Sequence, residues 1–152
     1  MNIFALSYDV TEAAQLHMDR HVVKMPLESA QMLCTAVHIH GGSAIYKKAF
    51  VKHPCTIWAA KTRSNFDWLT KFGIALCVEY RYRYNRVHAC RLVIEDCVSK
   101  RECIPEGELT EFAQAMPEEY KNMCTIEAYR EYYRKGKSHL AVWKGREKPH
   151  WY

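Results

Sequence analysis

Three histidines, a lysine and a glutamate share one polar stripe on a helix predicted between His17 and His38. At about 100° per residue the stripe covers a sector of roughly 100°, and apolar residues fill most of the remaining surface. A surface helix usually has the reverse proportions, so the pattern favours a pocket wall over a solvated face. The full stripe contains His17, Arg20, His21, Lys24, Glu28, Gln31, Thr35 and His38.

Lys24 and Glu28 are the pair in this stripe best suited to chemistry. Val23 and Met25 flank the lysine, and a partly desolvated amine is the better nucleophile. Glu28 lies one turn further on, where a carboxylate favours the ammonium form but can also shuttle protons. Two interpretations stay open: a Schiff-base lysine served by a carboxylate, and an i,i+4 ion pair on a wet face.

His17 and His21 lie one turn apart and could both ligate a metal ion. The glutamate of an HExxH zinc motif is absent, however, because residue 18 is Met. We therefore predict neither a metal nor a cofactor for this chain.

Basic and aromatic residues alternate in two further segments. In EYRYRYNR, tyrosines are interleaved with Arg81, Arg83 and Arg86, which offers phosphate contacts beside stacking surfaces. The C-terminal segment repeats this mixture around Trp143 and Lys144. A helix with inward tyrosines and solvated arginines explains the first segment equally well. Taken together with a net charge of +5, the two segments favour a nucleic acid or a nucleotide as the partner.

The elements that must position these groups are all helical. The 152 residues predict one compact all-α domain, residues 1–152, with three to four main helices and no strand-like alternation. The first helix is predicted to be long, to begin near Asp9 or Thr11, to kink at Pro26 and to stop at Gly41. A basic loop, residues 43–53, follows it. The pattern then predicts a short helix, a longer one capped at Ser64 or Asn65, a segment towards Val98, and a last helix over 125–135.

Composition narrows the class of protein further. The seven cysteines form no CxxC pair, which is typical of reduced thiols packed in a core. The first residues lack a basic region, and no run of 18 apolar residues occurs, so we expect a soluble, cytoplasmic protein with no membrane partner. The oligomeric state stays open.

The order of these landmarks resembles the phage pyrimidine-dimer DNA glycosylases of the endonuclease V type. AAQLHM leads to Pro26, KHPCTIW is followed by FDWL and ALCVEY, and AMPEEY and KPHWY come near the end. The chain also resembles a poorly characterised group of small phage proteins with the pattern HxxKMxLESAQ, HPxxxW, SNxxWL and MPxEY. The resemblance implies a set of three main helices without a sheet, a phage origin and a role in DNA repair.

Members of that family attack the sugar C1′ with an α-amine exposed by loss of the initiator methionine, and a glutamate directly before Leu-Pro stabilises the sugar. Here the second residue is Asn2, and Lys24 stands where the family has its glutamate, counted back from Pro26. The resemblance therefore implies an exchange of groups. Lys24 would form the imine, Glu28 would act as acid/base or oxocarbenium stabiliser, and His21 would carry protons near neutral pH.

Two hypotheses for function follow. The first is a DNA glycosylase, with abasic-site lyase activity, that acts on a damaged or modified base flipped out of a duplex. The alternative is a protein that binds or processes a small nucleotide or modified base and reuses the fold without cutting DNA, with Lys24, His17 and His21 on phosphate. The residues predicted to bind substrate are His17, Arg20, Gln31, Arg81, Arg83, Arg86, Trp143 and Lys144.

Overall fold

The computed structural model describes residues 1–152 and contains helices and loops without strands. This confirms the all-α class. There are six α-helices rather than three or four, because the segment predicted as one first helix forms two helices, and two of the other helices are short. Their bounds are α1 Val10–Leu16, α2 Asp19–Ile39, α3 Pro54–Lys61, α4 Arg63–Tyr84, α5 Arg91–Val98 and α6 Thr125–Gly136. Three single-turn 3₁₀ helices lie at Arg101–Cys103, Glu118–Tyr120 and Ser138–Leu140.

The prediction of one long first helix kinked at Pro26 is wrong. The helix breaks at His17 and Met18, whose backbones are extended, and α2 then runs unbroken through Pro26. The break leaves the carbonyls of Gln15 and His17 without helical partners, and the guanidinium of Arg83 donates to both at 2.9 and 2.8 Å. A residue from another helix thus satisfies the interrupted backbone, which periodicity along one segment does not show.

The remaining boundaries follow local signals. α2 ends before Gly41, whose φ of +80° suits a residue without a Cβ. The cap of α4 is Thr62, whose hydroxyl accepts from the N–H of Asn65, so the predicted cap at Ser64 or Asn65 lies two or three residues too late. α5 ends at Val98 as the pattern predicts, and α6 begins at Thr125.

α4 is the central helix and packs against α1, α2, α3 and α5. Its apolar positions Phe66, Leu69, Phe72 and Leu76 are fully buried. At Gly73 a Cβ would lie 3.2 Å from the Cβ of Ser29 and 2.9 Å from an Ile94 methyl group, so glycine here permits the close approach of α2. The apolar side of α2 therefore faces α4, and its polar stripe turns away from the centre.

The first residues of the chain form a buried segment across the helices. Residues 3–6 are almost completely inaccessible to solvent, and the guanidinium of Arg130 on α6 donates to the carbonyl of Leu6. The side-chain amide of Asn2 donates to the carbonyl of Ala115. This segment therefore lies between α2 and the C-terminal third of the chain, and it brings the start of the chain to the polar stripe.

Two expectations from composition concern the core and the membrane. All seven cysteines are free thiols, and five of them are buried, as predicted. No helix is long and apolar enough to cross a bilayer.

Candidate active site

A polar pocket of about 260 Å³ opens where α2 meets the start of the chain and α6. From α2 it takes His21, Lys24 and Glu28, which are the three residues predicted to be catalytic. The spacing of three and four residues places these side chains on one face of the helix. Met25 of α2 also contributes, and the rest of the lining comes from distant segments: Met1, Asn2, Phe4, Ala115, Tyr132 and Lys137.

Glu28 is the centre of this pocket. Its side chain is 8% exposed, and its Oε2 accepts from the backbone N–H of Asn2 at 2.7 Å. The ammonium of Lys24 lies 3.3 Å from Oε1, and the nitrogen of Met1 lies 3.7 Å from Oε2. Because two amines and one amide surround the carboxylate, Glu28 is positioned to exchange protons with an amine without leaving its place.

Lys24 is the exposed member of the pair. Its side chain is 67% exposed, so the partly desolvated environment predicted from Val23 and Met25 is wrong: Val23 is exposed as well. The long stem anchors the ammonium on Glu28 and leaves it accessible to a molecule that enters from solvent. Lys24 is therefore suited to react with a bound molecule because its amine is accessible, and not because it is buried.

His21 lies at the inner wall of the pocket. Its ring stacks on Phe4 with centroids 4.3 Å apart, and Nδ1 lies 2.6 Å from the hydroxyl of Tyr133. Burial, assisted by the nearby His17 and Lys137, lowers the pKa of His21 to about 3. The ring is therefore neutral at pH 7, which corrects the prediction of a proton carrier that titrates near neutrality.

His17 belongs to the structure of the helix break rather than to the pocket. It is fully buried, and its Nδ1 lies 2.6 Å from the carbonyl of Ala13. Burial lowers the pKa of His17 to about 4, so this ring is also neutral at pH 7. Its Nε2 has no hydrogen-bond partner. A buried, uncharged ring offers no contact to a phosphate, so His17 does not fit the predicted substrate-binding role.

The far half of the stripe holds the loop that follows α2. The hydroxyl of Thr35 donates to the carbonyl of Ala49 and accepts from its N–H, at 3.1 and 3.0 Å. Nε2 of His38 lies 2.9 Å from the carbonyl of Tyr46. Gln31 is half-buried between these residues and the pocket, and Arg20 is exposed on the first turn of α2. One part of the stripe therefore lines the pocket, and the part nearer the end of α2 holds the following loop in place.

Arg83 is a structural residue. Its side chain is fully buried and pairs with Glu79 at 2.7 Å and Asp19 at 2.9 Å, besides its two bonds to the helix break. Every nitrogen of the guanidinium therefore has an acceptor inside the protein. The predicted phosphate contact from Arg83 is not available, because the group faces the interior of the fold.

The other predicted basic residues remain at the surface. Arg81 is exposed on α4, and a second depression of about 350 Å³ brings together Val23, Tyr80, Tyr84, Arg86 and Lys144. The ammonium of Lys144 lies 5.5 Å from the ring centroid of Tyr84. Trp143 is half-buried, and its indole N–H donates to the carbonyl of Leu16, so it holds the C-terminal segment in place.

Sequence reasoning missed Asn2, Tyr132 and Lys137 as parts of the pocket. The ammonium of Lys137 lies 5.1 Å from the ring centroid of Tyr132, and both residues line the pocket opposite α2. Nothing in the local pattern of α6 distinguishes Tyr132 from its buried neighbour Tyr133. Only the packing of α6 against the start of the chain brings these residues to Glu28.

A comparison of the chain with protein-family models gives a match. The family model described as pyrimidine dimer DNA glycosylase matches residues 1–92, which is more than half of the chain. The chain belongs to the pyrimidine dimer DNA glycosylase family. The matched range of this glycosylase family member includes α1 to α4, and therefore the whole stripe on α2. Searches of curated proteins and of solved structures find no match.

Family membership supports DNA as a partner. The range that the family model matches also separates the residues of the pocket lining into two groups. Residues of α2 and the first segment lie inside the range that the family model matches. Ala115, Tyr132 and Lys137 lie outside it, in the last third of the chain. The pocket of this glycosylase family member is thus completed by residues that the family model does not describe.

Proposed function

We propose that this protein is a DNA glycosylase with abasic-site lyase activity, which acts on damaged pyrimidines in duplex DNA at the Glu28 pocket. The observation that carries the proposal is the contact between a reachable amine and a nearly buried carboxylate, Lys24 and Glu28, 3.3 Å apart. An amine that attacks a sugar carbon needs a base beside it, and the family to which the chain belongs acts on pyrimidine dimers.

In the first step, the amine of Lys24 attacks C1′ of the damaged nucleotide after giving a proton to Glu28. A bond forms between nitrogen and C1′, and the bond between C1′ and the base breaks. The base leaves with the electron pair and takes up a proton. Glu28 supplies this proton and is again a carboxylate, whose negative charge stabilises the positive charge left on the attached nitrogen and sugar. The product is a glycosylamine, in which C1′ carries the lysine nitrogen and O4′. Glu28 transfers a proton from this nitrogen to O4′ as the bond between C1′ and O4′ breaks, which leaves an iminium ion on the open sugar.

In the second step, the iminium ion makes the C2′ proton acidic, and Glu28 accepts it. The electron pair forms a double bond between C2′ and C3′, and the 3′ phosphate leaves with the C3′ oxygen, which cuts the strand. Water then hydrolyses the imine and frees Lys24. One carboxylate serves both steps because it is held in place by the N–H of Asn2.

The exposed cations hold the duplex in this proposal. Lys24 and Lys137 lie at the pocket itself, and Arg20, Arg81, Arg86 and Lys144 lie on the surface around α2 and α4. Such side chains bind phosphates, and each bound phosphate releases counterions. The pocket of about 260 Å³ has room for the sugar of one nucleotide, so the damaged nucleotide must leave the base stack to enter it.

Borohydride trapping on duplex DNA with an abasic site tests this function. Reduction of the imine should give a stable covalent complex, and peptide mapping should place the DNA on Lys24. Lys24→Ala should lose the complex, while Lys61→Ala, which removes an exposed lysine on α3, should keep it. A complex on the nitrogen of Met1, the other amine near Glu28, would overturn the role of Lys24 but keep the glycosylase.

Absence of any complex in the unchanged protein would contradict the proposed chemistry. The nucleotide-binding alternative would then gain support from a mononucleotide that raises the melting temperature when duplex DNA does not.

A further inference from the structure

The loop between α2 and α3, residues 43–53, exposes an aromatic ring among lysines. The side chain of Phe50 is 61% exposed. Lys47 and Lys48 precede it and Lys52 follows it, all of them exposed. Single exposed apolar residues are ordinary, so exposure alone assigns nothing to Phe50.

The backbone of Phe50 supplies a second observation. Its φ is +52°, in the left-handed region that bulky residues rarely adopt. A glycine or asparagine would relieve this strain, yet a phenylalanine occupies the position. Residues held in such conformations by their surroundings concentrate at functional sites.

Residues of the polar stripe on α2 hold this loop in place. Thr35 makes two hydrogen bonds to Ala49, the residue directly before Phe50, and the N–H of His53 donates to the carbonyl of Phe50 at 2.9 Å. His38 holds the carbonyl of Tyr46 at the start of the loop. The backbone on both sides of Phe50 is therefore anchored, and its ring is held outward as a rigid projection.

This projection lies near the Glu28 pocket. Thr35 follows Glu28 by seven residues, which is about 10 Å along the axis of α2 and the length of about three base steps. At the end of the same loop, the ring of His53 lies beside Met1 at the pocket. A duplex that follows the axis of α2 with one nucleotide at Glu28 would therefore reach the level of Thr35, the residue that holds Ala49 beside Phe50.

We propose that Phe50 is the wedge that enters the base stack where the protein opens the duplex at the lesion. This inference rests on the proposed function. Apolar side chains inserted between base steps unstack and kink a duplex, and basic residues beside them hold the flanking phosphates. Phe50 supplies the ring, while Lys47, Lys48 and Lys52 supply the phosphate contacts. The strained, anchored backbone keeps the ring outward before DNA arrives.

The test compares a duplex with a single strand. For borohydride trapping, the duplex and the single strand each contain a natural abasic site. A second duplex, used for fluorescence, carries 2-aminopurine next to a non-cleavable abasic analogue, because this base fluoresces more strongly when it is unstacked. Phe50→Gly removes the ring and suits the left-handed backbone, so the fold and melting temperature should be kept. Phe50→Trp restores an aromatic wedge. Ile45→Ala removes another exposed apolar side chain of the same loop and is the matched control.

We expect the unchanged protein to raise 2-aminopurine fluorescence and Phe50→Gly to abolish this rise. Borohydride trapping on the duplex should slow about tenfold or more in Phe50→Gly, whereas trapping on the single strand, which needs no unstacking, should be unchanged. Phe50→Trp should recover both duplex readouts, and Ile45→Ala should change neither.

Three results would overturn the wedge. The first is an unchanged fluorescence rise in Phe50→Gly, and the second is equal slowing on both substrates. The third is loss of binding to phosphatidylserine vesicles in Phe50→Gly with unchanged DNA readouts, which would assign the loop to a membrane surface. Failure of the unchanged protein to trap either substrate would instead contradict the proposed function, and this outcome is distinct from the other three.

Discussion

The backbone N–H of Asn2 donates to Oε2 of Glu28 at 2.7 Å, so the start of the chain and the middle of α2 meet at one carboxylate. This contact fixes the direction of the carboxylate and leaves Oε1 beside Lys24. Counting back from Pro26 aligns Lys24 with the family's glutamate, but it is Glu28 that contacts the first residues of the chain. The carboxylate of this site therefore lies one turn further along α2 than the family pattern suggests.

Glu28→Gln should remove catalysis without loss of the fold. A glutamine oxygen can still accept from Asn2, but it takes no proton from Lys24 or from C2′. We expect the single-turnover rate of strand cleavage at an abasic site to fall about 10²-fold or more. Glu95→Gln is the matched control, because Glu95 forms an i,i+4 pair with Arg91 on the surface of α5. Equal rates in the two variants would contradict the role of Glu28.

Arg83→Met should destabilise the protein and leave the salt dependence of DNA binding unchanged. The substitution removes the guanidinium from the carboxylates of Glu79 and Asp19 and from two carbonyls of the helix break. Breaking a buried ion pair by removing one partner costs about 3 to 5 kcal/mol, which urea unfolding would measure. A loss of DNA affinity at full stability would instead place Arg83 at the DNA.

Arg86→Ala and Lys144→Ala should each weaken duplex binding by removing one phosphate contact. The slope of log affinity against log salt concentration should become shallower by about 0.9 for each lost contact. Arg91→Ala, which removes an arginine paired with Glu95, should leave the slope unchanged. Fluorescence anisotropy over a range of salt concentrations provides the measurement. Unchanged slopes in the first two variants would exclude these residues from the interface.

The stability of the protein should fall as the pH decreases from about 6.5 towards 4. Burial lowers the pKa of His21 to about 3 and that of His17 to about 4, below the ordinary value of 6.5. Between these values the unfolded chain binds more protons than the folded one, so acid favours unfolding. Each histidine contributes about 1 kcal/mol per pH unit in this window. His21→Gln should reduce the slope in urea unfolding, and an unchanged slope would contradict a neutral buried His21.

Local signals in the sequence were sufficient for several elements. The glycine after α2, the proline that opens α3 and the apolar spacing of α6 each act within a few residues, and the helices end or begin near them. The i,i+4 pair of Lys24 and Glu28 is of the same kind, because helix geometry alone brings the two side chains together.

Contacts between distant segments explain the features that the sequence did not predict. The helix break at His17 depends on Arg83, which is 66 residues away, and nothing near the break identifies that partner. The pocket depends on Asn2 and Tyr132, which reach Glu28 only through the packing of the first segment and α6. The neutral state of His21 likewise results from burial under Phe4 and Tyr133. Such effects are set by the fold as a whole.

Release of a pyrimidine dimer from ultraviolet-irradiated duplex DNA tests the central claim most directly. The unchanged protein should cleave the glycosidic bond at the dimer and then the strand, and Glu28→Gln should do neither while it still binds the irradiated duplex. Intact dimer-containing DNA after incubation with the unchanged protein, or equal cleavage by Glu28→Gln, would contradict the assignment of this pocket as a glycosylase active site.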